Sequence, residues 1–211
     1  MNDLESQFGI TILSAAPLFR DAKAVPASAQ IRHLLEENVS LALNIHTDKA
    51  RSAFIIAPVL AEVRQLLDKK VSLFSGIDFT VDVSRGLNGS CDFLLSYSPD
   101  QVFLRAPVAC IVEAKNENIK SGYPQCIAEM LAARLFHARQ RHDVHAILGI
   151  VTTSSHWKFL TLQGNHVLID FDEYLISQAE KILGIFVQVL QQISPAVAEH
   201  TPAAAASHGA P

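Results

Sequence analysis

The chain has 211 residues, 49% hydrophobic and 18% charged, enough apolar material to close a core, which excludes disorder as the main state. Its 17 Lys and Arg against 21 Asp and Glu leave a formal charge of −4, so the whole molecule lacks the field of a strongly basic nucleic-acid-binding domain and any polyanion site must be local. Three widely spaced cysteines (Cys91, Cys110 and Cys126), without a CxxC or paired Cys/His pattern, suggest neither a disulfide framework nor a structural zinc. With no export leader and no membrane-length apolar run in the sequence, the expectation is a cytoplasmic protein without a membrane partner.

Residues 1–27 hold short apolar clusters and two prolines without a sustained period, and read as an N-terminal arm or short strand. A single domain is expected over 28–193. Its first helix is capped by Ser28 and carries Ile31, Leu34, Leu35, Val39, Ala42 and Ile45 at helical spacing. A second helix starts at Thr47 or Asp48 and runs to about Leu67, bent by Pro58. The period then shortens to two: 71–74 and 77–81 read as extended, Gly86 to Gly89 as a turn, 90–95 and the continuous apolar run 108–112 as strands, together a three-stranded meander.

A third helix is expected from Gly122 to about Arg141, a buried strand over 145–151, a strand over 156–162, a hairpin through Gly164-Asn165 into 167–169, and a last helix from about Asp172 to Gln192. Residues 194–211, rich in Ala and Pro and poor in large apolar groups, read as a disordered tail. Helix, three strands, helix, strand, then a hairpin and closing helix describe an α/β fold with a mixed central sheet flanked by helices.

The feature that points to chemistry is Asp92 on one strand, followed twenty-one positions later by Glu113-Ala114-Lys115 at the end of the next. In an extended chain Glu113 and Lys115 leave the same face, so two charges end an otherwise apolar strand. If the Asp92 strand is its antiparallel neighbour, the two carboxylates lie together and repel unless a divalent cation sits between them. Hard oxygen ligands for Mg²⁺ or Mn²⁺ beside a lysine that orients water or phosphate are what metal-assisted phosphodiester hydrolysis requires.

On these residues the chain resembles the PD-(D/E)XK nuclease superfamily, whose site is an acidic residue, a connection, and (D/E)-x-K on the neighbouring strand. Here the motif reads Cys91-Asp92, then Ile111-Val112-Glu113-Ala114-Lys115-Asn116, with Cys91 where the superfamily's name has proline. The resemblance implies a restriction-endonuclease-like αβββαβ core from Thr47 to about Val151, with an extra C-terminal hairpin and helix. It implies an Mg²⁺- or Mn²⁺-dependent DNA endonuclease in which Asp92 and Glu113 are metal ligands and Lys115 is the catalytic lysine. Glu62, on the helix before the sheet, and Gln125, ten residues after Lys115, match the family's supporting positions, Glu62 as a further ligand. The stretch Gly149 to Phe159 looks like the "TnG–xxW–F" hairpin near the nuclease domain of type I restriction enzymes' large subunits.

Around the motif, Asn116, Asn118 and Lys120 are candidates for contacts to a phosphate backbone, and residues 105–141 carry six Lys and Arg against three Glu. His137, His142 and His145 straddle a helix end and a strand start and read as solvated or core histidines. DNA is the expected partner and a homodimer is open. The alternatives are a catalytically silent nuclease-fold module that binds nucleic acid or protein, and a protein-interaction domain in which the triad is incidental.

Overall fold

The computed structural model of the chain describes residues 1–14 and 16–193; the expected tail, 194–211, lies outside them. The N-terminal stretch does more than lead into the core. After α1 (Asn2–Phe8), β1 (Thr11–Leu13) pairs in parallel with a strand near the far end of the chain. Beyond it, Phe19 and Ala22 are buried on one face of the sheet, while Ile10, just before it, is buried on the other. Apolar residues serving two clusters from irregular chain leave no single period, which is why the sequence pattern is silent there.

In α2 (Ala29–Ile45) the Ser28 hydroxyl accepts from the Ile31 N–H at 3.3 Å, the expected N-cap. The next helix is wound in three parts: α3 (Asp48–Arg51), capped by Thr47, a π-helical turn over Ser52–Ile56, and α4 (Ala57–Leu66). Pro58 cannot donate a backbone hydrogen bond, and the widened turn just before it absorbs the loss, so the expected bend is met by a change of winding.

Strands β2 (Ser72–Asp78), β3 (Ser90–Ser96) and β4 (Val108–Ala114) form the expected antiparallel meander. The two extended runs anticipated before the turn merge into a single strand that ends at Asp78 and leaves 79–81 outside it, with Gly76 at φ 61° within it. From β4 the chain crosses through α5 (Ile119–Arg139) to β5 (Ile147–Thr152), which pairs with β4 in parallel, the crossover a parallel pair requires. Strands β6 (His156–Gln163) and β7 (His166–Ile169) continue antiparallel, and β8 (Tyr174–Leu175) pairs with β6. The sheet runs β1-β7-β6-β5-β4-β3-β2.

Helix α6 (Ala179–Ile193) starts later than its periodicity suggests, because Tyr174 is drawn into β8, where its hydroxyl donates to Asp170 at 3.0 Å. Helices α2, α4 and α6 cover one face of the sheet, over Trp157 and Phe159, and Phe186 of α6 packs edge to face on Phe159 at 5.7 Å. Helix α5 covers the other. His137 is a core histidine: burial, with His142 adding, lowers it to about 4, and its Nε2 accepts from the Val108 N–H at 2.8 Å. His142 is half-buried and His145 exposed. Among the described residues no helix is long and apolar enough to cross a membrane.

Candidate active site

Strand alternation sets up the site. In β4, Cys110 and Val112 face the α4–α6 layer and Ile111 faces α5, so the next residue on the α5 side is Glu113. The antiparallel register with β3, Phe93 opposite Val112, brings Asp92 across from Glu113. Asp92 is fixed to the neighbouring strand by its Oδ2, which accepts from the Ala114 N–H at 2.9 Å. Lys115, just past the strand end, has its backbone N–H tied to the Thr152 carbonyl of β5 at 2.8 Å.

The side chains form a relay. The Lys115 ammonium is in close ion-pair contact with Glu113 Oε1 and donates to Gln125 Oε1 at 3.1 Å. The Gln125 amide then donates to Glu129 Oε1, also at 3.1 Å. Gln125 and Glu129 are four apart on α5, so they lie one turn apart on one helix face. Sequence reasoning named Gln125 and missed Glu129; the same spacing, carried one turn further, was the available signal.

Helix α5 reaches the strand end because position 122 is glycine. A Cβ there would lie 2.5 Å from Val151 Cγ1, 3.2 Å from Lys115 Cγ and 3.4 Å from Glu113 Cγ. Gly122 is therefore a positioning residue that the motif did not reveal.

Burial dominates the electrostatics. Glu113, 1% exposed, is pushed up to about 8 by desolvation, with the nearby charges of Asp92 and Glu129 adding and the bond from Lys115 opposing. Glu129 is raised to about 7 by its burial, against the hydrogen bond from Gln125. Partial burial acts to lower Lys115, but its contact with Glu113 and the surrounding carboxylates prevail and hold it above its ordinary value. The buried Cys91 thiol lies beside Glu129 and is pushed up by desolvation first and that carboxylate second.

Two carboxylate oxygens here, Glu113 Oε2 and Glu129 Oε2, are buried without a hydrogen-bond partner. Unpartnered buried acceptors are costly, and these are hard anionic oxygens of the kind Mg²⁺ and Mn²⁺ take. The donor chemistry thus fits such an ion. Among the described residues, however, no three His, Cys, Asp or Glu side chains are arranged as a ready metal cage; Lys115 holds one oxygen of Glu113 and the Ala114 amide one of Asp92.

Glu62, expected as a further ligand, does not join this group. It lies on α4, on the opposite face of the sheet, and its carboxylate accepts from the Ser28 backbone N–H at 2.8 Å and the Ser28 hydroxyl at 3.1 Å. It secures the start of α2 instead, because the rewound turn before Pro58 and the packing of Val59, Leu60 and Val63 on the core settle which way this helix faces. Asn118 caps α5, its Oδ1 accepting from the Lys120 N–H at 3.0 Å, while Lys120 itself is exposed. Asn116 is half-buried with its Oδ1 unpartnered.

In the hairpin between β5 and β6, Trp157 is fully buried and its indole N–H donates to the Ser154 carbonyl at 2.8 Å, so this ring is core rather than a surface platform. A cavity of about 730 Å³ lies between α2 and the start of α6 and is lined by none of the site residues. Its apolar wall does not match the acid-and-lysine chemistry at the end of β4, so the chemistry rather than the size of the concavity locates the site. Comparison with protein-family models, with curated proteins and with solved structures finds no match to this chain.

Proposed function

We propose that the chain is a divalent-metal-dependent nuclease hydrolysing DNA phosphodiester bonds on a restriction-endonuclease-like core. The observation that carries this reading is the convergence of Asp92, Glu113 and Lys115 from paired strands, under a helix that adds Gln125 and Glu129 and leaves two buried carboxylate oxygens unpartnered. The order of elements from α4 through β2, β3, β4, α5 and β5 supports it. Asp92 and Glu113 would hold Mg²⁺ or Mn²⁺, with Glu129 as an added acidic neighbour. When bound, the ion supplies an acidified water and neutralises charge on the phosphate.

The protein's own groups have distinct tasks. Lys115 carries three ammonium hydrogens, of which Glu113 and Gln125 take two, leaving one for a phosphate oxygen or a water. Gln125 fixes the ammonium head, and Glu129 fixes Gln125 from the far side. Gly122 lets the helix carrying both approach the strand end.

The test is cleavage of single- and double-stranded DNA with Mg²⁺ or Mn²⁺ by the wild type, Glu113→Gln and Lys115→Ala. Each substitution is expected to lower the rate by at least about 10²-fold, the usual cost of removing a charge-stabilising group. Cutting that survives both substitutions sinks the assignment. A wild type that neither cuts nor binds Mn²⁺ in a calorimetric titration leaves the fold as a binding module only.

A further inference from the structure

Away from the carboxylates, the charged group left least compensated is Arg51. It is 7% exposed, forms no ion pair among the described residues, and its Nε has no acceptor. Its Nη1 donates to the Thr153 carbonyl at 2.7 Å and its Nη2 to His46 Nδ1 at 3.1 Å. The adjoining Ser154, at φ 70°, is fully buried with an unpartnered hydroxyl oxygen. A guanidinium taken out of water without a carboxylate is costly, and the electrostatic compensation available to it must come through its neighbours.

The hydrogen bond to His46 decides the direction of that compensation. Arginine only donates, so His46 Nδ1 is the acceptor and the ring proton sits on Nε2. That N–H is directed outward and meets Glu117 Oε1 at 2.8 Å. Both side chains are largely open to solvent, 52% for His46 and 71% for Glu117, and a pair this exposed is held by little free energy. A buried cation therefore polarises an exposed donor, and a displaceable carboxylate covers it.

Its location ties it to the proposed site. The Lys115 backbone is held by the Thr152 carbonyl and Arg51 by the Thr153 carbonyl, so both basic residues hang on consecutive carbonyls at the exit of β5. Glu117 stands two residues beyond Lys115. We propose that His46 Nε2–H, held by Arg51, is a subsite for a second phosphodiester group of a nucleic acid, with Glu117 occupying it as an internal carboxylate that the phosphate displaces. The identity of the ligand rests on the nuclease reading.

The experiment is done in chelator, so that cleavage does not enter. Binding of a short fluorescent DNA oligonucleotide is measured for the wild type, Glu117→Gln, His46→Asn, the double variant, and Glu37→Gln, which removes an equal charge from an exposed position on α2. Asparagine keeps the left-handed cap that His46 forms at φ 56°. Glu117→Gln is expected to tighten binding about threefold, the scale of an exposed ion pair, with no gain in the His46→Asn background and none from Glu37→Gln. An equal gain in either control overturns the subsite.

The ¹⁵N resonance of the His46 ring separates the sources of phosphate. A response to the oligonucleotide at concentrations where inorganic phosphate has no effect supports the phosphodiester assignment, and the reverse overturns it. Loss of cleavage in the assay above with the Glu117→Gln gain intact removes the nuclease reading alone; cleavage without that gain removes the subsite alone.

Discussion

Asp170 and Glu113 are both carboxylates with almost no exposed surface, 0% and 1%, yet the fold treats them in opposite ways. Asp170 Oδ1 accepts from the Leu18 N–H at 2.8 Å and the Asp172 N–H at 3.1 Å, and its Oδ2 from the Tyr174 hydroxyl at 3.0 Å. The residue stitches the N-terminal segment and β8 to the end of β7. Glu113 has one partner, Lys115, which it shares with Gln125, and one buried oxygen with none. A carboxylate surrounded by fixed donors is a structural tie; one that is short of donors, among other acids, is poised for a cation or a proton.

Breaking the tie has the largest expected effect on stability. Asp170→Ala leaves three donors without their acceptor and is expected to cost about 3 kcal/mol or more, read by urea denaturation. Glu113→Gln, in chelator, is expected to leave stability unchanged or raise it, because it replaces a carboxylate that burial disfavours. Equal destabilisation by the two substitutions would abolish the contrast.

The pH dependence sharpens it. Glu113 and Glu129 are raised from their ordinary range to about 8 and about 7, so the folded protein binds more protons than the unfolded chain above about pH 4.5. Stability from these groups is present in full below that pH and is lost as pH rises to about 8. Melting temperature in chelator should fall over this window, Glu113→Gln should flatten the fall, and Mn²⁺ should stabilise more at pH 8 than at pH 6. His137 works in the other direction: lowered to about 4, it costs stability as pH falls from 6.5 toward 4, so it opposes the glutamates between about pH 4.5 and 6.5 and leaves the fall above pH 6.5 to them alone.

The smallest effect is expected at Gly122. Alanine there must move Val151 or tilt α5, at a cost of about 1 kcal/mol, and the same shift separates Gln125 from Lys115. Cleavage should therefore drop by more than the stability loss explains, measured as a rate at full saturation of folded protein.

Much of this was legible in the residues. Period-two and period-3.6 patterns located α2, α5, the last hairpin and most of the meander, and the continuous apolar run over 108–112 located β4, which is buried on both faces. The pairing of Asp92 with Glu113 and Lys115 was legible because alternation in two neighbouring strands places charges on a shared face. Three things were not fully so. β1 was legible only as an arm or short strand without a position or a partner, because three residues carry no period. The start of α6 escaped because Tyr174 answers to Asp170 rather than to its helical neighbours. Glu62 was misplaced because local sequence cannot say which way a helix faces once a π-helical turn has rotated it.

The α/β pattern, the mixed sheet and the acid-and-lysine ending of β4 are readable from the order of residues, since these depend on the pattern of side chains along one or two segments. That Glu129 joins the site and Glu62 does not, that Gly122 sets the distance between helix and strand, and that Arg51 stands behind His46 follow from the folded arrangement. Each of these depends on the separation and facing of elements distant in the chain, which packing alone fixes.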